Sequence, residues 1–209
     1  MQVACAPCLL SHATTATPAP FAMSDAADAA QVDAWPRSFL ALSPDAATRR
    51  QLAALPSLDG VQPTHIDDLH LTLAFIGAIS NAQRQVLAAA LPTLATQAKQ
   101  IPQLGPTGFE TWPIPEKPRV WVAAYALPDA LRQSVIQVQA VLADAGLPVD
   151  GRPFRPHITL ARFARNAVAA APSPARLEHP ARVEAIGLYC RTTSRDGPRY
   201  MTLASVPLT

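Results

Sequence analysis

The stretch DDLHLTLAFIG at residues 67–77 finds a second version in PFRPHITLARF at residues 153–163. Each contains histidine, an aliphatic residue, threonine and leucine in that order: His70-Leu71-Thr72-Leu73 and His157-Ile158-Thr159-Leu160. Both runs have the apolar content and the flanking Asp, Gly or Pro of a buried strand. In a strand, residues two apart share a face. His70 and Thr72 therefore point one way and Leu71 and Leu73 the other, and His157 and Thr159 repeat this above Ile158 and Leu160. The spacing alone carries little, since His12 and Thr14 in SHATT show it in a segment without strand character. Only the copies at 70 and 157 place it inside an apolar run.

Outward from the first copy, RSFLAL at 37–42 reads as a strand. SPDAATRRQLAAL at 43–55 reads as a helix, with Ser43 as its N-cap and Pro44 in its first position. The strand at Leu69 to Ile76 leads to Ser80 and Gln83, which form a capping-box start for a helix through about Gln97. Val86, Leu87, Leu91 and Leu94 give that helix an apolar face, and Pro92 kinks or ends it. GFETW and RVWVAAY read as strands around the turn PIPEKP. Leu131, Val135, Val138 and Leu142 recur at helical spacing, with Gly146 as the stop. After the second copy come a Pro/Ala-rich loop at about 166–180 and a hairpin, ARVEAIGLYCRT and RYMTLASVPL, around SRDGP. The chain is α+β, with the two copies on strands in different halves.

Residues 1–34 are small, polar and Pro-rich without periodicity, so they read as a flexible leader, with Met23 as an alternative start. Residues 35–209 then make one domain, within a 209-residue chain long enough for a single packed domain or two half-size lobes sharing a core. Hydrophobic residues are 49% and charged residues 15%, an ordinary balance that argues against wholesale disorder. A net charge of +2 lacks the basic excess of a protein that coats long nucleic acids. Of the 17 basic residues only Lys99 and Lys117 are lysines, and arginine has the planar fork suited to phosphate oxygens. Cys5, Cys8 and Cys190 are too few for a disulfide framework, and the C-x-x-C of the first two sits in the leader. No run approaches the ~20 apolar residues of a membrane span, and the start lacks the basic region of a secretory signal. The expectation is a cytoplasmic protein with no membrane association.

Two imidazoles facing each other across a cleft suit in-line displacement at phosphorus. One, neutral, takes a proton from the attacking hydroxyl or water; the other, protonated, supplies the leaving oxygen. Thr72 and Thr159 have hydroxyls to donate to phosphoryl oxygens, and Arg162, five residues after His157, has a charge to offset what builds there. That chemistry needs no metal. Two other readings of the same residues stay open: Asp68, His70 and His157 as a mixed metal site, or histidines that end strands beside threonines that are good β-formers. His65 and His179 read as surface residues.

With these motifs the chain resembles the 2H phosphoesterase superfamily, in particular the RNA 2′,3′-cyclic phosphodiesterases historically called 2′-5′ RNA ligases. The resemblance runs from RSFLALSPD through LHLTLAFIG and RPFRPHITLAR to GPRYMTL, all but the leader. It implies a bilobal, pseudo-two-fold α+β fold in which two antiparallel sheets line a central cleft with helices outside. It implies metal- and cofactor-independent hydrolysis of a terminal RNA 2′,3′-cyclic phosphate to a 2′-phosphomonoester. His70 would protonate the departing 3′ oxygen and His157 would activate water. Thr72, Thr159 and Arg162 would hold the phosphoryl group. Phe39, in an Arg-x-Phe pattern, would either stack on a base or pack in the core; Tyr200 would either pack or line the cleft. The implied partners are RNA 3′ ends bearing the cyclic phosphate, tRNA fragments or small cyclic nucleotides, met by a monomer. The same constellation also fits 2′-5′ RNA ligation or a non-catalytic module that grips RNA ends.

Overall fold

The computed structural model describes residues 34–56, 61–164, 177–192 and 199–208. All belong to one compact unit, Val32–Thr209. Residues 1–33, which hold all of the expected leader but Ala34, and residues 57–60, 165–176, 193–198 and 209 lie outside the described residues.

The strands are β1 (Ala34–Pro44), β2 (Val61–Pro63), β3 (Leu71–Ser80), β4 (Pro106–Trp112), β5 (Val120–Tyr125), β6 (His157–Phe163), β7 (Val183–Arg191) and β8 (Tyr200–Pro207). The helices are α1 (Ala46–Ala53), α2 (Asn81–Ala98) and α3 (Asp129–Asp144), with a short 3-10 turn at Ile66–Asp68. The strands join in one sheet of order β4-β5-β6-β3-β1-β7-β8, with β2 added on β6. Every pairing is antiparallel. The two groups β4-β5-β6 and β3-β1-β7-β8 meet at a single residue pair, Leu71 opposite Ile158. The two sheets anticipated from the resemblance are thus fused at one point, between the two motif strands.

The expected elements form, with three local differences. β1 continues through Pro44, which pairs with Val183, so α1 starts later than expected. Its N-cap is Asp45, whose carboxylate accepts from the Thr48 N–H at 2.8 Å. Ser43 instead shares a 2.7 Å hydrogen bond with the Tyr189 hydroxyl. Helix α2 has the Ser80–Gln83 capping box and runs through Pro92 to Ala98. The proline leaves one backbone bond unmade, and the burial of Leu87, Leu91 and Leu94 offsets it at about 2 kcal/mol for each fully buried leucine. Val86 is 53% exposed and not part of that face. Helix α3 buries Leu131, Val135, Val138 and Leu142 as its spacing predicts. It ends with Gly146 at φ +65°. Gly146 N–H donates to Ala143 and Leu147 N–H to Leu142, the paired bonds that close a helix on a left-handed residue.

Leu40, Leu42, Leu71, Ile158, Ile186 and Leu188 join the helical leucines in one core cluster. Strand alternation leaves their neighbours, the motif histidines and threonines included, on the opposite face.

Candidate active site

The pairing of Leu71 with Ile158 sets the site. In an antiparallel pair, stepping one residue along each strand in opposite directions keeps partners opposite. Thr159 therefore lies across from His70, and His157 across from Thr72. All four project from one face, each imidazole beside the hydroxyl of the other motif. His70 and Thr159 line one small depression with Arg162 and Tyr200. His157 and Thr72 line a larger cavity of about 640 Å³.

Both rings are held in the same way. His70 Nδ1 lies 2.6 Å from the Asp68 carbonyl and His157 Nδ1 lies 2.8 Å from the Arg155 carbonyl. A carbonyl only accepts, so Nδ1 carries the proton in each ring and Nε2 is the nitrogen left for chemistry. Burial pushes the His70 imidazole down to about 4; the Asp68 hydrogen bond opposes this, and the positive charges of Arg162 and His157 add to it. Burial also lowers His157, against the Arg155 hydrogen bond and with the Arg155 charge.

Arg162 reaches this face by a local irregularity. Five residues separate it from His157, so strict alternation would put the two on opposite faces. Trp121 pairs with Ala161 and Val122 with Thr159, which leaves Leu160 as an extra residue in β6. Such a bulge turns the residues after it to the other side. Arg162 is accordingly exposed, and its Nη2 donates to the Tyr200 hydroxyl at 3.2 Å. The first motif has the same device: Leu40 pairs with Ala74 and Ala41 with Thr72, so Leu73 is extra and Phe75 turns outward. Phe75 and Arg162 are equivalent positions of the two motifs.

Phe39 is 2% exposed. Its ring lies 4.8 Å from His70, 5.5 Å from Tyr189 and 5.0 Å from Tyr200, as a wall behind the first imidazole. Tyr200 meets His70 edge-on at 5.1 Å. His65 and His179 are exposed, His65 at the rim of the His70 depression.

Sequence reasoning missed two supports. Trp112 packs 4.6 Å from His157, with the Arg155 guanidinium 4.0 Å from its ring centre. Glu110 accepts from both, at 2.6 Å and 3.0 Å. A tryptophan in a strand bears no mark of the histidine it will meet. The second support is Asp68, 4% exposed, whose carboxylate accepts from the backbone N–H groups of Arg199 and Tyr200 at 2.8 Å and 3.2 Å. The residue whose carbonyl orients His70 thereby ties down the start of β8. Asp68→Ala strands two part-buried donors, and the expected loss is about 2–3 kcal/mol in urea denaturation. Asp68→Asn, which turns an amide NH2 toward one of those donors, should recover less than half. An unchanged midpoint for either variant would remove Asp68 from this role.

A family model described as the 2′-5′ RNA ligase superfamily matches residues 43–197. An Escherichia coli K12 protein named RNA 2′,3′-cyclic phosphodiesterase is 32% identical over 148 residues, 71% of this chain and 80% of the relative. A Geobacillus stearothermophilus protein of the same name is 32% identical over 152 residues, 69% of this chain; the match spans only 46% of that longer relative. Among solved structures, Escherichia coli LigT complexed with 3′-AMP superposes with a TM-score of 0.60 at 29% identity, over 84% of this chain and 99% of that one. TT0787 of Thermus thermophilus gives 0.62 at 28% identity, over 82% and 97%. The chain belongs to the 2′-5′ RNA ligase superfamily.

Proposed function

We propose that this protein hydrolyses the terminal 2′,3′-cyclic phosphate of RNA to a 2′-phosphomonoester. The observation that carries the reading is the pair of imidazoles on adjacent strands, each tethered through Nδ1 to the carbonyl two residues back and each beside the threonine of the other motif. His157 Nε2 takes a proton from water as its oxygen attacks phosphorus. The bond to the 3′ oxygen breaks opposite, and His70 Nε2 gives that oxygen its proton. Thr72 and Thr159 donate to the phosphoryl oxygens, and Arg162 stabilises the charge that grows on them. Phe39 and Tyr200 fix the His70 ring, and Tyr200 steadies Arg162. The reading takes residues 35–209 as one bilobal domain, a monomer acting in the cytoplasm without metal or cofactor on RNA 3′ ends such as tRNA fragments. Small cyclic nucleotides are its minimal substrates.

The test is incubation of an oligonucleotide ending in a 2′,3′-cyclic phosphate with purified protein and EDTA. A 2′-phosphate product formed at an undiminished rate is expected. A 3′-phosphate product or arrest by the chelator would overturn the reading, and binding without turnover would mark a non-catalytic end-binding module. The pH dependence has a definite sign. Both histidines sit below their ordinary value, so kcat/KM should be bell-shaped with its maximum between about pH 4 and 6.5, falling above that. The bound phosphodiester anion favours the charged imidazole, so kcat should peak at higher pH than kcat/KM. A kcat/KM still rising from pH 7 to 8 would contradict this.

The cavity of about 640 Å³ on the water side of phosphorus favours a second reaction through the same groups. A nucleotide 5′-hydroxyl seated there in place of water would form a 2′-5′ linkage, detectable by adding a 5′-hydroxyl oligonucleotide.

A further inference from the structure

We propose that a second depression, lined by Arg37, Arg162 and Arg191 beneath the exposed ring of Phe75, binds the phosphodiester that precedes the reactive nucleotide. This rests on the hydrolytic reading above and goes further: the preferred substrate is an RNA strand with at least one upstream phosphate, not a nucleoside cyclic phosphate.

The depression holds about 310 Å³ and shares Arg162 and Tyr200 with the His70 pocket. Among the described residues no carboxylate pairs with Arg37, Arg162 or Arg191, whereas on the His157 side Arg152 is paired with Asp150 and Arg155 with Glu110, and only Arg119 lines that cavity without a carboxylate. Uncompensated positive charge is thus greater on the His70 side of the reaction centre, three guanidinium groups against one. It is the side on which the strand must lie. The 3′ oxygen leaves toward His70 and stays attached to the ribose, so the ribose and the phosphate on its 5′ side extend from His70, away from the attacking water.

Arg37 is held in this depression at a conformational cost. Its φ is +54°, a left-handed conformation uncommon for a residue with a side chain. The pairing of β1 with β3 skips here, from Trp35 opposite Ile79 to Ser38 opposite Gly77. Neighbours fix the irregularity: Ser38 Oγ donates to the Trp35 carbonyl at 3.0 Å, and Cys190 Sγ to the Pro36 carbonyl at 2.9 Å. A bulge of this kind re-aims a side chain, and the side chain delivered here is an arginine that lines one depression with two others. Guanidinium forks suit phosphate oxygens. Phe75, 64% exposed, completes the site as a stacking surface for a base of any identity.

The experiment compares a nucleoside 2′,3′-cyclic phosphate with a dinucleotide ending in the same group. We expect a dinucleotide preference in kcat/KM of roughly tenfold or more, falling about threefold from 50 to 200 mM salt as one phosphate contact on a single strand requires. In R37N/R191Q, with asparagine chosen because it tolerates the left-handed region, the preference should drop below threefold. R191E alone, on a regularly paired strand, should abolish it without disturbing the bulge. Equal kcat/KM for the two substrates in the unaltered protein, or a preference that survives both variants, would overturn the proposal. Binding of the two product forms, nucleoside 2′-phosphate and dinucleotide 2′-phosphate, is measured in parallel. If neither substrate turns over, the hydrolytic reading falls, and the product-binding ratio still decides the subsite.

Discussion

His157→Ala is expected to lower the hydrolysis of a 2′,3′-cyclic phosphate by about 10²–10⁴-fold, and His70→Ala by a similar factor, the usual scale for removing a positioned acid or base. Since the two act on one displacement, the double variant should lose much less than the product of the single losses. Each ring also packs, His157 against Trp112 and His70 against Phe39, so alanine confounds chemistry with packing. Asparagine separates them. Its amide NH2 takes the place of Nδ1–H in the bond to the Arg155 or Asp68 carbonyl, yet nothing in it titrates near neutrality. If His157→Asn keeps more than a tenth of the original kcat/KM, proton transfer by this residue is not the source of the rate. The roles are told apart by the leaving group: a phosphodiester that expels a stable aryl oxide needs no acid. On such a substrate the His70→Ala defect should shrink, while that of His157→Ala should persist. The opposite pattern would exchange the two assignments.

Arg162→Met should cost about 10²–10³ in kcat/KM, comparable with the loss of a preorganised donor to a developing oxyanion. It should also change the pH profile in a known direction. The Arg162 charge is one of the influences that depress His70; without it the imidazole holds its proton more readily, and the low-pH limb of kcat/KM moves up. Those limbs belong to the coupled pair of histidines, so the shift is read on the profile as a whole. Arg162→Lys keeps the charge but not the fork that reaches Tyr200, and should fall between the two. A methionine variant within threefold of the original, or one with an unmoved acidic limb, would exclude Arg162 from the phosphoryl site.

Much of this was open to a reader of the sequence, for reasons of periodicity. Alternation put His70 with Thr72 and His157 with Thr159; a 3.6-residue repeat marked α3; the capping box marked the start of α2. These features are local: the residues that carry the signal also make the element. The misreadings came where a neighbouring element intervened. Ser43 has the chemistry of an N-cap, yet the pairing of β1 with β7 extends the strand past it to Pro44 and leaves the cap to Asp45. Val86 fits the apolar stripe of α2 and still faces outward, because the cluster beneath accepts only Leu87, Leu91 and Leu94 from that stripe.

The sequence by itself determined which groups are available: two imidazoles, two hydroxyls and a set of arginines, in strands that must bury their leucines. Tertiary structure decided how they meet. Pairing Leu71 with Ile158 crosses each histidine with the other motif's threonine. The extra residues Leu73 and Leu160 turn Phe75 and Arg162 to the cleft, where simple alternation from the histidines would have turned them away. A bulge is the mismatch between two strands, and register is a relation between them, so neither is written in the residues of one strand alone.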